Sequence, residues 1–152
     1  MRFGGRVKRV LILLFFGLIV SDNMFAKNSI FDKNKNSCEV GIVVGKLSGI
    51  SGKYFVTNID AIDGAVGFGP DLMVHFDYLR HNFKAYKVTE GELPCYYGGG
   101  VFFQKDNICV QLKAGLEYIF ETNPLGIFIE IAPAFGNNFV FQGGVGVRYR
   151  LK

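Results

Sequence analysis

From Cys38 onward, hydrophobic and polar positions alternate with a period of two, and no helical period competes with it. Glu39 to Lys46 places Val40, Ile42 and Val44 on one face. Ile50 to Val56 sets Ile50, Tyr54 and Val56 against Ser51, Lys53 and Phe55. Ala61 to Phe68 sets Ile62, Gly64, Val66 and Phe68 against Ala61, Asp63, Ala65 and Gly67. Leu72 to Leu79 sets Leu72, Val74, Phe76 and Tyr78 against Met73, His75, Asp77 and Leu79. After the polar stretch Arg80 to Leu93, the segment Pro94 to Gln104 carries Gly98, Gly99 and Gly100, which leave its parity open. Lys105-Asp106-Asn107 is a tight turn. Ile108 to Phe120 has the clearest alternation: Ile108, Val110, Leu112, Ala114, Leu116, Tyr118 and Phe120 oppose Cys109, Gln111, Lys113, Gly115, Glu117 and Ile119. Ile127 to Ala132 sets Ile127, Ile129 and Ile131 against Phe128, Glu130 and Ala132. Phe139 to Leu151 closes the count at eight strands, with Phe139, Phe141, Gly143, Val145, Val147, Tyr149 and Leu151 on one parity and Val140, Gln142, Gly144, Gly146, Arg148 and Arg150 on the other.

Alternation alone does not say which face is inside. A lipocalin-type barrel buries its apolar face, whereas a membrane barrel turns it to lipid. The polar face here is built of Gly and Ala with isolated charges of both signs: Lys53, Asp63, His75, Asp77, Lys113, Glu117, Glu130 and Arg148. Glycine weakens a strand and covers nothing, so it suits a crowded lumen better than a wetted surface. Tyr54, Phe68, Tyr78, Tyr118, Phe120, Phe139 and Tyr149 fall towards strand ends, where interfacial aromatic girdles lie. The pattern therefore predicts an all-β chain, an eight-stranded antiparallel up-and-down transmembrane β-barrel over residues 38–152, filled by side chains and without an open pore.

The amino terminus reads as an export signal. Arg2, Arg6, Lys8 and Arg9 precede the apolar run Val10 to Val20, and a short polar stretch ends at Ala26, so residues 1–26 form a secretory signal peptide. Its removal takes away four basic residues and Asp22, and the net charge falls from +4 to +1. The basicity belongs to the signal, and no nucleic-acid partner is inferred. Residues 27–37 are a polar leader with little to bury, expected to be mobile.

Several stretches also carry a resemblance. Gly49 to Phe68 (G-I-S-G-K-Y-F-V-T-N-I-D-A-I-D-G-A-V-G-F), His75 to Phe83, Tyr96 to Gly100, Ala114 to Phe120, Phe128 to Pro133 and Gly143 to Tyr149 resemble an uncharacterised family of small bacterial outer-membrane β-barrel proteins, with eight strands as in barrels of the OmpA and OmpX type. The resemblance implies the fold and the outer-membrane compartment, and it brings no activity with it. Gly144, Val147 and Tyr149 resemble the spacing read by the barrel-assembly machinery, although the chain ends on Leu151-Lys152 where such barrels commonly end on an aromatic residue.

The interior charges could be a catalytic cluster, but a narrow barrel demands the simpler reading. A charge left unpaired there costs several kcal/mol, so acids and bases must neutralise one another. His75 and His81 with Ser48 or Ser51 match no nucleophile motif of a lipid-directed hydrolase. Two histidines without a second soft ligand make a poor metal site. Gly98 to Gly100 is followed by no helix and is not a phosphate loop. No cofactor is expected. Of Cys38, Cys95 and Cys109, the last should lie opposite about Phe102, which argues against a Cys95–Cys109 bond across that hairpin.

The sequence thus predicts a non-catalytic structural or surface-interaction protein of the outer membrane, whose partners are outer-membrane lipid, the assembly machinery and an unidentified surface ligand. The alternatives are a soluble periplasmic barrel binding a small apolar ligand and, further off, a lipid-modifying enzyme. With both termini periplasmic, Arg80 to Leu93 becomes a periplasmic connection. The connections near Ser48, Pro70, Asp106 and Asn137 are then short outward turns. Either the barrel shows little of itself outside, or the strand count is off by one.

Overall fold

A computed structural model describes residues 34–151. The expected signal peptide and the leader up to residue 33 lie outside them. Eight strands follow one another: β1 Cys38–Gly45, β2 Gly49–Phe55, β3 Asp60–Gly67, β4 Met73–Asn82, β5 Cys95–Gln104, β6 Asn107–Ile119, β7 Leu125–Phe135 and β8 Phe139–Leu151. Each pairs antiparallel with its neighbours in sequence, and β8 returns to β1, so the sheet is a closed barrel. Closure satisfies every strand edge, the condition for placing a sheet in hydrocarbon.

The strands are tilted. A row of register partners that starts at Cys38 runs through Tyr54, Ile62, Tyr78, Gly99 and Leu112. It climbs from the first residue of β1 to the middle of β6, the stagger that closure of a small barrel requires. One end of the barrel, the terminus end, holds the start of β1 and the end of β8 together with the connections 56–59, 83–94 and 120–124. The other end holds four tight turns, at 46–48, 68–72, 105–106 and 136–138. The strand count of eight stands, and the longest connection lies on the same end as the start of β1 and the end of β8.

Two strands run further than their sequence pattern. β4 continues through Arg80, His81 and Asn82, which pair with Tyr97, Tyr96 and Cys95. β7 continues past Ala132 to Phe135 even though Pro133 can donate no ladder hydrogen bond. The β6–β7 ladder records its partners on either side of that position, from Val110–Phe135 and Gln111–Ala134 to Ala114–Ile131, while β8 pairs with β7 throughout. One missing donor is tolerated because the neighbouring ladder holds the strand in place.

The apolar parity faces out on all eight strands, and the polar parity faces in. This is the reverse of a lipocalin-type barrel. The glycine-rich β5 resolves in the same way, with Tyr96 and Phe102 buried inside and Tyr97, Val101 and Phe103 exposed. Gly98 and Gly100 point inward at places where a Cβ would collide with the backbone carbonyl oxygens of Tyr78 and Phe76, so only glycine fits. From Phe139 to Tyr149, a strand tilted by ~40° rises roughly 25 Å, the height of an outer-membrane apolar band. The tyrosines of the outer face (Tyr54, Tyr78, Tyr97, Tyr118, Tyr149) ring the terminus end, and Phe68, Phe103, Phe135 and Phe139 ring the turn end.

The last four residues of the leader are fixed to the barrel. Asn36 N donates to Phe55 O at 2.9 Å and Phe55 N to Ser37 O at 3.0 Å, while the buried Asn34 accepts from Arg150 at 3.0 Å.

Candidate functional site: the charged lumen

The eight charged or ionisable residues singled out from the sequence, Lys53, Asp63, His75, Asp77, Lys113, Glu117, Glu130 and Arg148, are all buried inside the barrel. They come from β2, β3, β4, β6, β7 and β8, and strand pairing brings few of them side by side. Most meet across the lumen.

Asp63 is the centre of the arrangement. Its Oδ2 accepts from Lys113 Nζ at 2.8 Å, and its Oδ1 from Arg148 at 2.7 Å. Lys113 in turn lies 2.9 Å from Asp77 Oδ2 and 3.4 Å from Glu130 Oε1. Asp77 accepts from Gln111 at 2.7 and 2.8 Å and meets His75 Nδ1 at 2.7 Å. Gln142 donates to Gln111 Oε1 at 3.2 Å, and Tyr96 donates its hydroxyl to Glu130 Oε2 at 2.9 Å. The guanidinium of Arg148 lies 3.9 Å from the centroid of the Phe128 ring, and its Nε donates to Ser51 Oγ at 3.4 Å. That stacking gives one face of the cation an electron-rich surface.

A second group fills the terminus end. Lys53 pairs with Glu117, lies 3.6 Å from Glu39 and stands 5.0 Å from the Tyr96 ring centroid. Glu39 also accepts from Arg150 at 2.9 and 2.6 Å. Charges this deep are tolerated because each faces an opposite charge. Towards the tight turns the filling is apolar instead: Val43, Leu47, Ala65, Met73, Phe102, Cys109 and Ala134 pack together, with Leu47 folded in over Gly67. Between the charged and apolar fillings lies a cavity of about 20 Å³ whose polar lining is His75, Gln111, Lys113, Glu130 and Gln142. That is room for about one water molecule.

Sequence reasoning passed over Glu39, Tyr96, Gln111, Gln142 and Arg150. The inward parity marked Gln111, Gln142 and Arg150 as polar-face residues, and Glu39 by its opposition to Val40. Nothing marked Tyr96 while the parity of its strand was open.

The other candidates separate. His81 is buried between the rings of Phe55 at 4.8 Å and Tyr96 at 5.1 Å, and neither of its nitrogens has a hydrogen-bond partner among the described residues. Ser48 sits in the β1–β2 turn, where its hydroxyl bonds to the Gly45 backbone. Ser51 is engaged by Arg148, and His75 by Asp77. The ligand atoms of Asp63, His75 and Asp77 lie within 4.8 Å of one another, as a metal would need, but the Lys113 ammonium stands among them. It lies 3.4 Å from the His75 ring nitrogens. The donor set is thus gathered round a lysine cation. Cys38, Cys95 and Cys109 are free thiols, with Cys109 opposite Phe102 and Cys95 opposite Leu116. Of the three residues resembling an assembly signal, Val147 and Tyr149 face outward on β8, and Gly144 faces in against Val43.

The fold has known counterparts. It is similar to the N-terminal β-barrel domain of Pseudomonas aeruginosa OprF, at 19% identity with a TM-score of 0.62, covering 77% of this chain and 98% of that one. It is also similar to a de novo designed transmembrane β-barrel, at 20% identity with a TM-score of 0.60, covering 80% of this chain and 100% of that one. The fold is that of a transmembrane β-barrel. No protein-family model matches the chain, and no curated protein matches it.

Proposed function

We propose that this chain is an exported outer-membrane protein with a non-catalytic role, a side-chain-filled barrel that acts through its outer wall and its connections rather than through its lumen. The observation that carries this reading is the contrast between a wall exposing aliphatic and aromatic side chains to its surroundings and a lumen closed by ion pairs and an apolar plug. A cavity of about 20 Å³ accommodates a water molecule and no solute of metabolic size. Ser48, Ser51 and His75 each bond to a different partner and His81 is held apart from them between aromatic rings, which favours a structural or interaction role over lipid hydrolysis. The tight turns at one end leave little chain beyond the wall there, so surface contacts of this protein would involve a small area.

Membrane fractionation combined with heat-dependent gel migration tests the compartment and the barrel together. An outer-membrane protein whose mobility shifts on boiling is expected, and recovery in the soluble periplasm would overturn the reading. A tag inserted in 83–94 adds the topology: protection from proteinase on intact cells is expected, and cleavage there would invert the orientation.

A further inference from the structure

The connection between β4 and β5 is pinned on both sides of the barrel wall. At its start Phe83 turns into the mouth, where its ring stacks on His81 at 5.9 Å and lies 6.4 Å from Phe55. The carboxamide oxygen of Asn82 accepts from Lys84 N at 3.0 Å and sets the turn that follows. At its far end the backbone of Glu92 exchanges hydrogen bonds with Ile119 at 3.0 and 2.8 Å, and Glu90 O accepts from the hydroxyl of Tyr118 at 3.1 Å. Tyr118 belongs to the outward parity of β6. Tyr54, Tyr78, Tyr97 and Tyr149, at the same rim, are 43, 45, 43 and 49% exposed, whereas Tyr118 is half-buried. Gly91, in a left-handed conformation at φ 72°, lies against its ring. The chain therefore leaves the mouth, crosses the rim and comes back on the lipid side at the level of the tyrosine girdle.

Between the two pins stand Lys84, Ala85, Tyr86, Lys87 and Val88, all exposed, with Tyr86 at 53% and Val88 at 38%. Two cations alternate with an aromatic and a β-branched side chain. Glu90 and Glu92 follow where the chain has rejoined the wall. An amphipathic aromatic at headgroup depth, flanked by lysines, matches a leaflet of anionic phospholipid.

We propose that residues 84–88 form a lipid-binding flap, which lays Tyr86 and Val88 into the headgroup layer at the terminus end and places Lys84 and Lys87 on lipid phosphates. The flap extends the contact already made by the tyrosine girdle, and it rests on the membrane-barrel reading above.

The chain contains no tryptophan, so a single introduced one reports its own surroundings. Full-length protein carrying Tyr86→Trp, and separately Ile129→Trp in the middle of the β7 outer face, is reconstituted into vesicles of phosphatidylcholine alone or mixed equally with phosphatidylglycerol. With lipids brominated near the headgroup, Tyr86→Trp is expected to be quenched and blue-shifted in the anionic vesicles, and lipids brominated deep in the chains should quench Ile129→Trp. Lys84→Gln and Lys87→Gln should each weaken flap insertion about five-fold, the equivalent of ~1 kcal/mol per lysine. If Ile129→Trp is lipid-quenched while Tyr86→Trp stays open to an aqueous quencher in both vesicle types, the flap is overturned and the barrel reading stands. Equal insertion in neutral vesicles overturns the role of the lysines. Loss of lipid quenching at Ile129→Trp overturns the membrane reading itself.

Discussion

Towards the tight turns the lumen is filled by volume, with Met73, Phe102, Cys109 and Ala134 in contact. Towards the chain ends it is filled by charge, with Asp63, Lys113, Arg148, Lys53 and Glu117 in mutual reach. The two fillings answer one requirement, a narrow barrel with little empty space and no unneutralised charge, and they fail in different ways. A lost methylene in the plug leaves a hole of its own size, and its cost follows that size. A lost charge in the column leaves its partner buried and unneutralised, and its cost follows the desolvation of the survivor. The column is therefore the more sensitive half, although it holds fewer hydrophobic contacts.

The sharpest way to break this contrast is at Asp63. Asp63→Asn removes the carboxylate shared by Lys113 and Arg148 and should cost about 3–5 kcal/mol, measured by urea unfolding of the barrel refolded in detergent micelles. Lys113 keeps Asp77 and Glu130 as partners, whereas Asp63 is the only acid within salt-bridge distance of Arg148 among the described residues. Adding Arg148→Met to Asp63→Asn should recover part of the loss, because the orphaned cation goes with its partner. Strictly additive losses would show that the two are not coupled.

Met73→Ala is the matching test in the plug. It should cost roughly 2–3 kcal/mol, near the low end for a buried methionine, because its turn-end neighbours can relax into part of the space. A loss larger than that of Asp63→Asn would reverse the ranking of the two halves.

Why the halves were unequally legible follows from the same physics. Membership of either face is a local property with period two, so the positions of Lys53, Asp63, Lys113 and Arg148 could be read from their strands one at a time. The pairing could not. Lys53 on β2 meets Glu117 on β6, and Arg148 on β8 meets Asp63 on β3, contacts fixed by barrel tilt and closure rather than by neighbouring register. In the plug, Met73 and Phe102 share the parity of charged residues and have no polar signature of their own. Glycines hid the parity of β5 altogether, and with it Tyr96. The strand ends at Asn82 and Phe135 also escaped the pattern, since charged or proline-containing segments were extended by partners on adjacent strands.

The β5 glycines offer a smaller test, independent of either filling. Gly100→Ala places a Cβ against the Phe76 carbonyl oxygen and should lower stability by about 1–3 kcal/mol through a shift of the β4–β5 ladder. Gly69→Ala, in the open β3–β4 turn, should leave the unfolding midpoint nearly unchanged. Equal effects at the two sites would mean that the close approach of β4 and β5 is not what selects glycine.

The mildest change is expected at the boundary between column and plug. Gln142 donates to Gln111, and both line the small cavity beneath the apolar filling. Gln142→Leu removes the donor and leaves Gln111 Oε1 short of a partner, which in a dry interior would cost about 1–3 kcal/mol. The cavity has room and polar neighbours for one water, which can take the place of the missing amide. The loss should therefore stay under ~1 kcal/mol, with the gained leucine contacts offsetting part of it. A loss above about 2 kcal/mol would mean that the boundary is closed to water, and that the column depends on Gln142 as strictly as it depends on Asp63.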